Sequence, residues 1–471
     1  MGPGAWAGLL DVLWDMTPAT VLLMLALLDT VTGRVEPLQP RSAGKLSVYA
    51  CGPTVAGLPH IGHARANLVW DSLRRYLTWS GMQVRFVSNV TDIEDKIIAK
   101  ANDEGTTTDE VAQRYEALWR QTMDRLGVQR PDDVPHATEY VERMVDLVGD
   151  LVGKSSAYVA GDGVYFSTAS LDGYGLLAHQ SLESLRAGAR VEVDEEVGKR
   201  SPLDFVLWKL SKPGEPSWPS PWGPGRPGWH TECVVMSLDL LGEGFDLHVG
   251  GLDLAFPHHE NERAQAVASG AEFARRWAHN GMVNDERGEK MSRSVGNVLS
   301  LPNLLDHYEG RELRYFMLQT HYRRPMAVSE DGLEQARASV RRFDNFLWEM
   351  RDAPAVTADH EVVGAFRARL DDDFDTPGAI GVLFGAVNTA RSDAGRAPSI
   401  AAAVRECLGS VGVFSRDGQA QLGEREARLV AERDEARRQK DWATADAKRA
   451  ELAAMGYVVS DGPDGTAIRP A

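Results

Sequence analysis

Residues Tyr49 to His63 read Y-A-C-G-P-T-V-A-G-L-P-H-I-G-H. The run Leu46-Ser47-Val48-Tyr49 that enters them predicts a strand, and Gly52, Pro53, Gly57 and Pro59 end it. After Gly62 the spacing of Leu68, Val69, Leu73 and Leu77 predicts a helix. Strand, glycine- and proline-rich turn, helix is the order that presents backbone N–H groups and side chains to a phosphate ligand. The stretch also carries a cysteine and two histidines. Taken alone, a buried thiol and two surface imidazoles explain them as well as a binding site does.

Working outward, Lys45 to Pro135 reads strand, helix, strand (Gln83 to Ser88), helix (Ile93 to Asp103), helix (Thr108 to Leu126), which predicts α/β organisation around a parallel sheet. From His136 to Pro224 the pattern breaks. A helix over Glu139 to Val152, a strand over Gly163 to Ser167 and a Pro/Gly/Trp-rich stretch read as an insertion, because α/β signals resume after it. Phe245 to Val249 predicts a strand, Gly250 to Pro257 a loop, and His258 to Ser269 a helix. Leu301 to Gly409 is mostly helical, and Leu333, Val340, Phe343 and Leu347 have the spacing of bundle core. Glu424 to Ala454 reads as a charged helical pair broken near Asp441, and Gly456 to Arg469 as a hairpin with an Asp-Gly turn.

The chain has 471 residues and a formal charge of −17, which excludes a protein that coats nucleic acid non-specifically but leaves room for a locally basic face. Its three cysteines, Cys51, Cys233 and Cys407, are too few and too scattered for a disulfide scaffold, and a reducing compartment is expected. Val21 to Leu28 is too short to span a bilayer. Asp11 and Asp15 stand where a signal peptide would be basic. A cytoplasmic protein with an atypical leader at 1–27 is therefore expected.

Cys51, Cys233, and His258 with Glu262 four residues on supply two sulfurs, an imidazole and a carboxylate, a donor set that suits tetrahedral zinc. His259 competes with His258 for the imidazole place. Gly250 and Gly251 allow close approach of a ligand, and Asp253 suits a ribose hydroxyl, an ammonium group or a helix cap. Pro59-His60-Ile61-Gly62-His63 and the distant Lys290-Met291-Ser292-Arg293-Ser294 lack the order of a kinase-type phosphate loop. They complement each other nonetheless: His60 and His63 can donate to phosphate oxygens from a helix N-terminus, and Lys290 and Arg293 can neutralise the leaving phosphates.

H-I-G-H paired with K-M-S-R-S resembles the signature pair of the class I aminoacyl-tRNA synthetases. Cys51-Gly52-Pro53-Thr54-Val55, Asn89 to Lys96, Arg226 to Cys233 and Phe256 to Glu262 narrow the resemblance to the cysteinyl-tRNA synthetase family, from about Leu28 to Arg469. The resemblance implies a Rossmann-like catalytic domain with an inserted subdomain, then a helical bundle and a small anticodon-binding domain. The expected boundaries are 28–135 and 225–284 for the two catalytic halves, 136–224 for the insertion, 285–325 for the signature-loop and stem-contact region, 326–410 for the bundle and 411–471 for the last domain.

It also implies a division of roles. Cys51, Cys233, His258 and Glu262 would hold one Zn(2+) per chain, and the metal would select the substrate thiolate. Thr91, Trp229 and His248 would line the amino-acid pocket. His60, His63, Lys290 and Arg293 would be catalytic, with Gly62, Gly250, Gly251, Asp253 and Lys290 against ATP. The expected partners are L-cysteine, ATP with Mg(2+), and tRNA(Cys), in a monomer with no membrane contact. Arg425, Arg428, Arg433, Arg437, Arg438 and Lys448 are expected to meet the tRNA backbone, and Trp442 to be core rather than a base platform. Arg293 stands where the family commonly has a second lysine. The cysteine:amino-sugar ligase of mycothiol biosynthesis is the rival reading, against which the terminal module and Asn261-Glu262-Arg263 speak.

Overall fold

The computed structural model describes residues 25–181, 183–185, 198–285, 299–414, 424–455, 457–462 and 465–470. The leader up to residue 24 and the expected phosphate ligands Lys290 and Arg293 lie outside the described residues. Two compact units divide the chain. One is Met1–Glu334 with Phe366–Ile380 and Ser410–Gly412, and the other is Gln335–Ala365 with Gly381–Gly409 and Val413–Ala471.

In the first unit, an antiparallel hairpin that the sequence reading does not anticipate, β1 (Ala26–Asp29) and β2 (Arg34–Pro37), precedes β3 (Lys45–Ala50). β3 is buried from Leu46 to its end. A strand buried on both faces needs partners at both edges and helices above and below. Helix α1 (Ile61–Trp79) follows it, then β4 (Gln83–Ser88), which pairs with β3 in parallel. Two helices come next, α2 (Asp95–Glu104) and α3 (Thr108–Arg125). Thr107 and Glu110 close a capping box at the start of α3, satisfying two backbone donors that the first turn leaves open.

Helix α4 (Val141–Gly153) leads into an antiparallel sheet of β5 (Ala157–Ala160), β6 (Gly163–Phe166), β7 (Phe205–Leu210) and β8 (Gly225–Pro227), paired in that order. Val148, Leu151, Phe166, Leu207 and Trp208 form its core. β8 lies just past residue 224 yet belongs to this sheet and runs straight into α5 (Trp229–Leu241).

The parallel sheet resumes with β9 (Leu247–Gly251), which takes the second edge of β3. Gly250 and Gly251, read in sequence as the start of a loop, are the end of this strand. A short helical turn, Leu252–Leu254, and a wide turn, Ala255–His259, lead to α6 (Glu260–Ser269). β10 (Trp277–Asn280) then completes the order β10-β9-β3-β4. Tyr49, Cys233, Val234, Phe245, Phe273 and Trp277 pack the core against it. β11 (Val283–Asn284), α7 (Leu301–His307), α8 (Gly310–Leu318) and β12 (Met326–Ala327) follow, with β11 and β12 paired in parallel.

α9 (Glu330–Glu349), α10 (His360–Asp371), α11 (Thr376–Ser392) and α12 (Ala397–Ser410) are the helical stretch expected after residue 301. In the second unit Phe343 and Phe384 pack with tilted rings, centroids 4.5 Å apart, and Cys407 is buried. Its last part is α13 (Glu424–Arg438), α14 (Trp442–Ala454) and an antiparallel hairpin, β13 (Tyr457–Gly462) and β14 (Gly465–Pro470). Leu429, Leu452, Val459 and Ile468 form its core, and Asp441 caps α14 by accepting from the Thr444 N–H.

Two expectations for this module are corrected. Trp442 is 58% exposed, so it is not core. Arg433 is buried and pairs with Asp461 at 2.8 Å, so it braces the hairpin rather than facing solvent. Arg437 also meets Asp461, Arg438 meets Glu435, and Lys448 meets Glu432 and Glu451. Arg428 is exposed, and the side chain of Arg425 lies outside the described residues.

Candidate active site and metal centre

All four strands of the parallel sheet end on one side, where a cavity of about 820 Å³ opens. Cys51 and Gly52 after β3, Asn89 after β4, Gly250 and Gly251 of β9, and Gly281 after β10 lie around it. The carboxyl edge of a parallel sheet is where open α/β folds bind ligands. Close passage of the backbone makes room: a Cβ on Gly52 would stand 1.6 Å from the Asn89 carbonyl oxygen.

At one wall the four expected metal ligands converge. Cys51 Sγ is 3.6 Å from Cys233 Sγ and 3.3 Å from Glu262 Oε1. His258 Nε2 is 3.7 Å from Cys233 Sγ and 3.0 Å from Glu262 Oε1. In tetrahedral zinc the ligand–ligand edges are about 3.8 Å between sulfurs and about 3.3 Å between nitrogen and oxygen. The donor types and their spacing therefore fit zinc. Three elements supply them: the end of β3, the first turns of α5, and the turn that enters α6.

The choice between neighbouring histidines follows from the backbone. His258 turns to Glu262. His259 turns away, with Nδ1 2.8 Å from His279 Nε2, and His279 Nδ1 is 2.7 Å from Thr30 Oγ1. A second grouping, Cys51, His248, His259 and Glu262, also lies within 4.8 Å, but it leaves out the Cys233 sulfur.

The electrostatics favour two deprotonated and two protonated groups in the ligand set. Burial opposes ionisation of Glu262, yet His248 and His258 hold its carboxyl well below the usual range. Burial likewise opposes the Cys233 thiolate, but the Cys51 thiol and the His258 ring bring its pKa down to about 6. Cys51 is pushed up, first by loss of water around its sulfur and then by Cys233. His258 is held up at about 10, because Glu262 and Cys233 outweigh the cost of burying its charge.

The expected substrate residues fall in two layers. Trp229 lines the cavity and stacks on His258, centroids 4.1 Å apart. Thr91 and His248 are not among the lining residues. Thr91 donates to Glu232 Oε2 at 2.7 Å, and His248 Nε2 meets the candidate ligand Glu262 at Oε2, 2.8 Å away.

At the other wall His60 and His63 stack at 3.7 Å on the N-terminus of α1, where the His60 N–H donates to His63 Nδ1. Gly62 lies between them, so close that a Cβ would stand 3.1 Å from the His60 ring. Gly250, Gly251 and Asp253 also line the cavity. The segment from 286 to 298, which carries Lys290 and Arg293, lies outside the described residues. Before it, β11 pairs with β12; after it, the Leu301 N–H donates to Pro59 O and the Ile61 N–H to Leu299 O.

Sequence reasoning assigned no role to Asn89, His230 or Glu232. Asn89 lines the cavity, its Oδ1 accepts from the Gly52 N–H, and its amide nitrogen donates to Thr91. His230 meets the other ring nitrogen of His258 at 2.7 Å. Glu232 is wholly buried beside Cys233, and burial raises its pKa. All three lie in the motif segments quoted above, and that neighbourhood was the only signal available.

Comparison with known proteins agrees with the geometry. A family described as "tRNA synthetases class I (C) catalytic domain" matches residues 37–338, a "DALR domain" matches 365–414, and a "Cysteinyl-tRNA ligase anticodon binding domain" matches 419–469. A "Cysteine--tRNA ligase" of Vibrio atlanticus (strain LGP32) is 43% identical over 463 residues, covering 95% of this chain and 100% of that protein. Another from Sodalis glossinidius (strain morsitans) is 45% identical over 460 residues, with the same coverage. Among solved structures, Mycobacterium tuberculosis methionyl-tRNA synthetase in complex with methionyl-adenylate is 16% identical with a TM-score of 0.56, covering 85% of this chain and 96% of that one. At that identity the likeness shows the fold. No described helix is long and apolar enough to cross a membrane.

Proposed function

Because this chain belongs to the cysteinyl-tRNA synthetases, the cysteine–tRNA ligases of class I, we propose that its cavity takes L-cysteine and ATP side by side, the amino acid against Cys51 and Trp229 and the phosphates against His60 and His63. The cysteine carboxylate attacks the α-phosphorus, the bond to pyrophosphate breaks, and cysteinyl-adenylate forms. The 3′-terminal ribose hydroxyl of tRNA(Cys) then attacks the acyl carbon and AMP leaves. Neither step needs a protein nucleophile, so orientation and charge stabilisation carry the catalysis.

The observation that carries this reading is the convergence of Cys51, Cys233, His258 and Glu262 beside the cavity. They would hold one zinc ion, whose preference for a thiolate over a neutral hydroxyl tells cysteine from serine when it is bound. Trp229 packs His258 in place, while His230 and His248 fix the orientation of His258 and Glu262. At the phosphate wall, His60 and His63 donate from the positive end of α1, the glycine pair admits the nucleotide, and Asp253 accepts from a ribose hydroxyl. Lys290 and Arg293 neutralise the departing pyrophosphate, with Mg(2+) accompanying ATP.

ATP–pyrophosphate exchange with cysteine and with serine, followed by charging of tRNA(Cys), tests this function. Exchange is expected with cysteine and not with serine. Exchange followed by transfer only to an amino-sugar would overturn the tRNA reading.

A further inference from the structure

Two residues beyond His63 on α1, Arg65 is wholly buried. Its guanidinium donates to the backbone carbonyls of Met317, Thr320 (3.2 Å), His321 (2.9 Å) and Tyr322 (3.2 Å). Those carbonyls are the carboxyl end of α8 and the turn beyond it, where unpaired C=O groups carry partial negative charge. Among the described residues no carboxylate pairs with Arg65, and burial draws its pKa down to about 10, so it is still a cation at neutral pH. A buried charge among neutral acceptors is a costly way to stabilise a fold, and an apolar side chain would fill the volume more cheaply. A rigid planar fork that holds several carbonyls at once does offer exact placement of one element on another.

The elements it joins are those that bear the phosphate wall. Tyr322 O accepts from Arg65 and also from the Gly281 N–H at 2.7 Å, and Gly281 lines the cavity. Met326 N–H then donates to Met282 O, and β11 and β12 pair beyond it, at the threshold of the segment that carries Lys290 and Arg293. One side chain thus fixes the histidine end of α1 against the strand end that leads into the second signature.

We propose that Arg65 is a positioning residue for adenylate formation: it sets the spacing between the His60/His63 end of α1 and the Gly281–Val283 wall, and so the fit of the ATP phosphates, without touching substrate. The inference rests on the function proposed above. Lysine keeps the charge but cannot span four carbonyls, and methionine keeps the bulk without the charge.

The test is ATP–pyrophosphate exchange by the full chain carrying R65K or R65M, with ATP and cysteine varied separately, zinc content determined and thermal unfolding recorded. Expected is a ten- to hundred-fold loss of kcat/KM for ATP in R65M and a smaller loss in R65K, while the KM for cysteine stays within about two-fold and zinc content is unchanged. Unchanged ATP parameters in R65K and R65M would overturn the proposal. Equal losses for ATP and cysteine, tracking a fall in thermal stability, would overturn it too, since they mark a merely structural role. Should R65M not fold, the ATP-to-cysteine split in R65K decides. A wild-type chain inert in exchange would instead sink the proposed function.

Discussion

Cys233 sits where the cluster of Cys51, His258 and Glu262 meets the core, and its substitution gives the sharpest residue-level outcome. In Cys233→Ser the hydroxyl stays protonated at neutral pH and replaces a strong donor with a weak one. Zinc content measured by metal analysis is expected to fall below one per chain, and cysteine-dependent exchange by on the order of 100-fold. Normal zinc content and selectivity would show that the metal assignment is wrong. Metal uptake by the stripped protein also has a defined proton count. At pH 7 the free site holds protons on Cys51 and His258, whose pKa values are raised, and none on Cys233 or Glu262, whose values are lowered. Calorimetry in buffers of different ionisation enthalpy should therefore register release of about two protons per zinc, and affinity should rise with pH in proportion. At this scale the sequence was most legible where a motif carries the chemistry. It was silent on His230 and Glu232, which act by contact with a ligand or its neighbour and have no spacing rule of their own. It also left His258 and His259 as equals until the family resemblance chose between them; the physical choice is the direction in which the turn at Ala255–His259 aims each ring.

At the scale of elements, α13, α14 and the β13–β14 hairpin separate two kinds of exposed-looking residue. Arg433→Ala removes a buried guanidinium from Asp461 and Thr466 and should cost about 2 kcal/mol, read as faster hydrogen exchange in β13 and β14. Trp442→Ala should change stability by less than about 0.5 kcal/mol, because more than half of the side chain is already in water. The reverse ranking would refute the packing described for this module. A helical stripe of arginines does not reveal that Arg433 has an acid 28 residues further on, and an aromatic ring carries no sign of which helix face meets the core. Strand ends were misplaced similarly. Gly250 and Gly251 have loop propensity, yet β10 pairs His279 with Gly250 and Asn280 with Gly251 and extends β9 through both. β1, β2 and β5 have four residues each, too few for an alternating pattern to stand out, whereas the longer amphipathic helices α1 and α3 are readable to within a residue or two at most ends.

For the whole molecule, the first unit depends on contacts between residues far apart in the chain. Cys51 and Glu262 are 211 residues apart, and no composition or periodicity could have joined them; their donor chemistry suggests the set, and the resemblance supports it. Removal of zinc by a chelator should therefore loosen the end of β3, α5 and the start of α6 together, seen as faster hydrogen exchange there, while exchange in β13 and β14 stays unchanged. Uniform loosening of both units would contradict that separation. The position of β3 in the middle of its sheet has one more consequence. A ribosome releases the chain from residue 1 upward, so β3 meets β4 early and β9 late. The Ser47 anchor Asp246 is made 199 residues after it. Through that interval one edge of an apolar strand stands open, while the antiparallel sheet of β5–β8 is synthesised and can complete itself. A stalled or truncated product ending before Asp246 would thus expose the edge of β3 and, lacking His258 and Glu262, hold no complete donor set, making it prone to aggregate.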